Sequence, residues 1–178
     1  MDDADRRTVI DEWFRRYADR VFAYLLHRVD RATAQDVLQE VFVTAFVKAD
    51  QLPDPPLGWL FGTGRRLLAN RYRGWRRHDR LIDRLIDDAS SEADAEVAEL
   101  KLAFAETLAG LPQSDREVLT LTGWYELTPS QAAEALGCTP SAYAVRLHRA
   151  RKRLAAALDA AGYRGVSPAG QLAEALRG

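Results

Sequence analysis

Along most of the chain apolar residues recur every three or four positions, the period of an α-helix, and the strict alternation of a half-buried strand is nearly absent. Trp13, Tyr17, Val21, Leu25 and Val29 recur every four residues and predict a first helix with one apolar stripe. A second helix is predicted over 33–49. Its residues Val37, Leu38, Val41, Phe42, Ala45 and Phe46 fall on one face, with Asp36, Gln39, Glu40 and Thr44 toward the other. Leu52-Pro-Asp-Pro-Pro-Leu57 interrupts the pattern, because three prolines in four residues cannot sit inside a helix. Helical spacing resumes from 58 to about 77, with Trp59, Leu60, Leu67, Leu68 and Tyr72 available to a core. Gly62 and Gly64 weaken that helix by up to ~1 kcal/mol each relative to alanine.

The acidic stretch 83–96 has few large apolar groups and is the best domain boundary. Beyond it Val97, Leu100, Phe104 and Leu108 mark a helix that Gly110-Leu111-Pro112 stops. Ser114 and Glu117 have the spacing of a capping box for the next helix, which carries Val118, Leu119 and Leu121. Thr128 and Pro129 start a short helix through Leu136, Gly137 ends it, and Thr139-Pro140 opens a last long helix to about Leu158. The tail 159–178 contains Gly162, Gly165, Pro168 and Gly170, with room for a short helix at 171–177.

Composition narrows the class. The chain has 178 residues, 47% hydrophobic and 29% charged, the balance of a soluble globular protein of one or two domains. No apolar run approaches the ~20 residues needed to cross a bilayer. The opening Met1-Asp2-Asp3-Ala4-Asp5 is acidic where a signal peptide would be basic, so the cytoplasm is the expected location. One cysteine, Cys138, excludes an intrachain disulfide, and His27, His78 and His148 are too scattered for a zinc site.

The net charge of −1 conceals strong segregation. From Arg65 to Arg80 there are seven arginines against one acid; from Asp83 to Glu99 seven acids against one base; from Arg146 to Arg153 five bases and no acid. Two basic blocks separated by an acidic one suggest two polyanion-binding surfaces joined by a segment that repels nucleic acid, against the plainer alternative of solvated helix faces.

Three constellations could carry chemistry. The first is 128–153, which has the layout of a helix-turn-helix: Ala133 is small where helices cross closely, Gly137 suits a left-handed turn, and Leu136, Tyr143 and Leu147 can fill the space between the helices. In that motif the N-terminal half of the second helix faces base edges. There Ser141, Ala142, Ala144, Val145, His148 and Arg149 have no core role, and Arg149 has the reach to bind guanine in a bidentate way. Arg146, Arg151, Lys152 and Arg153 suit phosphate contacts. The second constellation interleaves Trp59, Phe61, Tyr72 and Trp75 with arginines, a mixture suited to stacking on unpaired bases while holding the backbone. Gly62-Thr-Gly64 is not a dinucleotide fingerprint, since the third glycine and the preceding strand are missing. The third is the polar face Asp36, Gln39, Glu40. No histidine or third carboxylate joins it locally, so it reads as a solvated face or a dock for a basic partner rather than a metal or acid–base site. No activated nucleophile, phosphate-cradling loop, cofactor site or metal site stands out, and no enzymatic activity is expected.

The order of motifs is what identifies a relative. Asp36-Val-Leu-Gln-Glu-Val-Phe42, Gly58-Trp-Leu-Phe61, the arginine-rich helix, Leu111-Pro-Gln-Ser-Asp-Arg-Glu-Val-Leu119, Ala133-Glu-Ala-Leu-Gly137 and Arg146-Leu-His-Arg-Ala-Arg-Lys-Arg-Leu154 follow one another as in an extracytoplasmic-function (group 4) sigma factor of the sigma-70 family, which the chain resembles over about 10–158. The resemblance implies an all-α protein of two small helical domains: a region 2 bundle at 1–80 and a region 4 helix-turn-helix domain at 97–158. A flexible acidic linker at 81–96 would join them, leaving the tail 159–178 without an assigned role.

It further implies core RNA polymerase as partner, bound to the β′ clamp helices through Asp36, Gln39 and Glu40 and to the β flap through region 4. Promoter DNA is the second partner, an anti-sigma factor the third, and no membrane insertion is implied. The −10 strand would meet Asp54, Trp59, Arg65, Arg66, Asn70, Arg73 and Arg76. The −35 duplex would meet Ser141, Ala144, Val145, Arg146, His148, Arg149, Arg151 and Arg153. The acidic linker would thread toward the RNA exit path. The chain departs from the family at Arg66, where asparagine is frequent, at Pro55 and Pro56 in the −10 loop, and at Ala144 and Val145, where a basic residue and a serine are usual. Those last two leave apolar contact, for instance with a thymine methyl, as the available readout. The rival class is a free-standing LuxR-like helix-turn-helix regulator of duplex DNA. Such a protein needs a receiver or ligand domain over 10–78, where the sequence shows no α/β pattern.

Overall fold

The computed structural model describes residues 2–71 and 80–163. They are helical, with no strand among them: α1 (Asp3–Leu26), α2 (Arg31–Lys48), α3 (Leu57–Arg71), α4 (Arg80–Ser90), α5 (Ala95–Gly110), α6 (Gln113–Gly123), α7 (Pro129–Leu136) and α8 (Pro140–Ala160), with a 3-10 turn at Ala49–Gln51. The chain divides into two compact units, Met1–Arg80 with Ala133–Cys138, and Leu81–Ala132 with Thr139–Gly178.

In the first unit the helix starts are set by aspartates. The Asp2 carboxylate accepts from the Asp5 N–H at 2.8 Å, and Asp30 accepts from the Thr33 N–H at 3.0 Å, each satisfying a donor that has no partner within its helix. The N–H and hydroxyl of Thr33 together hold the Asp30 carboxyl below the usual carboxylate range. The stripe read from the sequence is the buried one: Tyr17, Val21, Leu25 and Val29 are in the core, and Trp13 is half-buried at its outer end. From α2 come Val37, Val41, Phe42 and Ala45; from α3 come Leu57, Leu60, Phe61 and Leu68. Arg80 closes the unit. Its N–H donates to the His27 carbonyl at 3.1 Å and its Nη1 to the Val29 carbonyl at 3.0 Å, supplying donors where α1 runs out of them.

Gly64 has a packing reason that its helix propensity hides. A β-carbon there would stand 3.3 Å from Leu25 Cδ2 and 3.7 Å from Val41 Cγ2, so the missing side chain is what lets α3 lie close against α1 and α2. The expected helix 58–77 is observed as Leu57–Arg71; its remainder, 72–79, and the tail helix at 171–177 lie outside the described residues.

Two expectations are corrected in the second unit. The stretch 81–96 is not a plain tether: through Ser90 it is the helix α4, with Leu81, Ile82, Leu85 and Ala89 buried. Leu81 and Leu85 line a small apolar cleft with Phe104, Leu108, Leu119 and Trp124. The acids Asp83, Asp87 and Asp88 occupy the exposed positions between. Helical spacing of four apolar residues outweighs the acid count, since only the opposite face must meet water. The turn proper is short, and Asp94 then caps α5 by accepting from the Glu96 N–H at 3.0 Å and the Val97 N–H at 3.2 Å. The Ser114–Glu117 capping box does not form. α6 begins two residues earlier, after Pro112, which places Ser114 inside the first turn with no capping hydrogen bond. Pro112 already has the extended backbone that precedes a helix, so it takes the position the serine would have used. Arg116 reaches back instead, Nη1 donating to the carbonyls of Ala109 at 2.9 Å and Leu111 at 2.7 Å at the end of α5.

Gly64→Val should therefore destabilise the first unit by about 1–3 kcal/mol, because the added methyls have no space against Leu25 and Val41. Thermal or urea denaturation followed by circular dichroism measures the loss.

Candidate functional site

The helix-turn-helix segment is built by local chemistry at three joints. At the first, the Thr128 hydroxyl accepts from the Gln131 N–H at 3.3 Å while Gln131 Oε1 accepts from the Thr128 N–H at 3.0 Å, a reciprocal cap that holds the start of α7. At the second, Gly137 has φ +65°, a left-handed conformation that costs a residue without a β-carbon little, and the Cys138 N–H returns to the Ala133 carbonyl at 2.9 Å. At the third, the Thr139 hydroxyl accepts from the Ala142 N–H at 3.2 Å and Pro140 takes the first helical position.

The rotation of α8 follows from its buried stripe, Tyr143, Leu147, Ala150, Leu154 and Leu158. Tyr143 is wholly buried. Its hydroxyl donates to the Val118 carbonyl at 2.8 Å and also hydrogen-bonds the Thr122 hydroxyl, so its polar end is tied to α6. Leu136 is half-buried.

With that stripe inward, Ser141, Ala144, Val145, Arg146, His148, Arg149, Arg151, Lys152 and Arg153 are all exposed. At roughly 100° per residue, Ser141, Val145, His148 and Lys152 run along the crest opposite the core, with Arg149 beside them and Ala144 on the same flank as Arg151. Arg146 and Arg153 lie down one flank and Arg151 down the other. Four of the eight expected −35 residues, Ser141, Val145, His148 and Arg149, thus share the crest with Lys152, and Ala144, Arg146 and Arg151 stand exposed on its two flanks. The eighth, Arg153, is differently placed: its guanidinium pairs with the buried Asp115 carboxylate at 2.5 Å, binding α8 to α6.

On α2, Asp36 and Gln39 are exposed and Glu40 is half-buried, on one face. That face continues with Val43 and Val47, which are 64% and 68% exposed and were not singled out from the sequence. The available signal was their register, three and four residues beyond Glu40 and Val43 on the polar side.

Of the residues expected at a −10 strand, Asp54, Arg66 and Asn70 are exposed, and Trp59 and Arg65 are half-buried. Asp54 sits in the proline turn, where the Asp54–Pro55 bond is cis. Arg66 Nη2 donates to the Thr63 hydroxyl at 2.9 Å. Phe61 is not a stacking platform: it is fully buried, its ring 5.0 Å from that of Tyr24. On α3 it falls on the side that α1 covers, next to an exposed side in sequence but not in space. Tyr72, Arg73, Trp75 and Arg76 lie outside the described residues.

Residues 13–78 match the family "Sigma-70 region 2" and residues 101–154 match "Sigma-70, region 4". The chain is 29% identical over 152 residues to the ECF RNA polymerase sigma factor SigM of Bacillus subtilis, covering 83% of this chain and 93% of that one. It is 32% identical over 146 residues to the RNA polymerase sigma factor CnrH of Cupriavidus metallidurans, covering 74% and 76%. The solved structure of CnrH in complex with the cytosolic domain of CnrY superposes with a TM-score of 0.55 at 28% identity, over 89% of this chain and 95% of that chain.

The chain belongs to the extracytoplasmic-function sigma factors of the sigma-70 family. It is accordingly a promoter-recognition factor that binds RNA polymerase, not a free-standing helix-turn-helix regulator. Sigma factors are DNA-binding transcription initiation factors rather than enzymes. Among the described residues no helix is long and apolar enough to cross a membrane.

Arg153→Ala should lower stability by about 1 kcal/mol, because it leaves the buried Asp115 carboxylate without its cation. Arg151→Ala, at an exposed position, should leave the denaturation midpoint nearly unchanged; the two midpoints compared side by side check the assignment.

Proposed function

We propose that the chain divides promoter recognition between its two units, reading the −35 duplex with α8 and the −10 strand with α3 and the arginine-rich segment after it. The observation that carries this reading is the outward surface of α8. Four basic residues and the polar Ser141 and His148 stand exposed on a helix whose opposite side is locked into the core. A helix N-terminal half offered in this way fits the major groove, with Arg146, Arg151 and Lys152 on phosphates and Ser141, Ala144, Val145, His148 and Arg149 toward base edges. Because Arg153 is paired with Asp115, its part is to orient α8 more than to hold DNA.

On the −10 side, Trp59 offers a partly accessible ring, and Arg65, Arg66 and Asn70 offer donors close by on α3. A base leaving the stack costs a few kcal/mol, which stacking and pocket contacts must offset. Asp54 and the proline turn before α3 would form one wall of that pocket, and Arg73 and Arg76 would extend the cationic track. Arg66 in place of the frequent asparagine changes the donors available to the −10 base.

The α2 face bearing Asp36, Gln39 and Glu40 docks on the β′ clamp helices, and Val43 and Val47 add the apolar centre that such an interface needs. Region 4 would touch the β flap, and the acidic outer side of α4 would repel DNA. An anti-sigma protein is the further partner, supported by the relative CnrH, which was solved in complex with the cytosolic domain of CnrY. Polymerase and both promoter elements act together through effective concentration, so neither unit needs high affinity alone.

Run-off transcription tests the whole reading: core RNA polymerase supplied with the chain should initiate at discrete sites in a genomic library, and core alone should not. Arg149→Ala should weaken −35 binding by ~1–3 kcal/mol and relax selectivity at one base pair, as read by footprinting across single-base variants. Glu40→Lys should reduce capture of core polymerase in a pull-down while leaving the circular dichroism spectrum and melting point unchanged.

A further inference from the structure

Val145 is 50% exposed on the crest of α8, at the position farthest from the buried stripe. A β-branched side chain lowers helix propensity slightly, and an exposed isopropyl group contributes nothing to the core. Its surroundings are cationic: Arg146 adjoins it, and Arg149 and Lys152 follow within two turns. That charge selects a polyanion as the occupant and disfavours an apolar protein surface. On the crest Val145 is the one apolar side chain, with Ser141 one turn before it and His148 and Lys152 after it, all exposed.

In the major groove one base-edge feature is apolar, the 5-methyl group of thymine, which cytosine lacks unless it is methylated. Resting on the reading of α8 as the −35 helix, we propose that Val145 is a specificity-determining residue that contacts the 5-methyl group of a pyrimidine. The upstream element recognised by this chain then carries a 5-methylpyrimidine under the crest. Arg149, beside the crest and one turn on, reads a neighbouring base pair by hydrogen bonding, so apolar and polar readout are adjacent on one helix face.

The test uses holoenzyme, full-length chain with core polymerase, on a promoter selected from a genomic library. Each thymine of the −35 element is replaced in turn by deoxyuridine, which removes only the methyl group, and promoter binding is measured by competition. One position is expected to lose about fourfold in affinity, the effect of roughly one buried methyl group. Placing 5-methylcytosine against cytosine at that position, each paired with guanine, separates the two sources of the methyl group: the methylated pair should bind several-fold better. In Val145→Ala, which exchanges an exposed valine for a better helix former, the uracil penalty should vanish while responses at other positions persist.

The proposal is overturned if the selected −35 element contains no thymine, if no thymine is sensitive to loss of its methyl, or if the penalty survives in Val145→Ala. Failure of the underlying reading looks different: no protection of any upstream element and no start-site selection, whatever the methylation.

Discussion

Burial of Tyr143 is the constraint on which the helix-turn-helix half of this molecule depends. A helix of 21 residues can turn about its own axis, and only its inward contacts decide which side chains reach the solvent. Tyr143 settles this with a ring in the core and a hydroxyl bonded to the Val118 carbonyl, an arrangement that any large rotation of α8 would leave unsatisfied. Leu147, Ala150, Leu154 and Leu158 continue the same line, and the Arg153–Asp115 pair adds a polar fastening farther along. The cationic surface is therefore an outcome of packing as much as of composition.

The first unit solves a parallel problem with a different device. Three helices share one core, and α3 comes close enough to the others only because Gly64 has no side chain. This close approach holds α3 with Leu60, Phe61 and Leu68 inward and leaves Arg66 and Asn70 outward. On α2 the same logic leaves Val43 and Val47 exposed beside Asp36 and Gln39. These two valines lie on the face proposed to dock on the polymerase.

Much of the architecture was legible in the chain itself. The stripes of α1, α2 and α8 were strong because each must bury one side, and Gly137, Thr139 and Pro140 marked the turn of the motif by their own conformational preferences. Where reading failed, two signals competed. At 81–96 a run of acids masked Leu81, Ile82, Leu85 and Ala89, whose spacing alone pointed to a packed helix. At Ser114 a local capping pattern lost to Pro112, two residues before the predicted cap. Phe61 resembled Trp59 in sequence and differed from it in the side of the helix on which it falls.

The sequence by itself determined the helical class, the order of the motifs and the family, since these follow from periodicity, turn chemistry and residue identity, which are local properties of a chain. Tertiary structure alone decided which arginine is engaged at Asp115, which aromatic ring is covered by α1, and which valines remain in water. Those outcomes depend on the rotation and approach of helices distant in sequence. A helix presents every side chain to some direction, and only its neighbours determine which directions remain open.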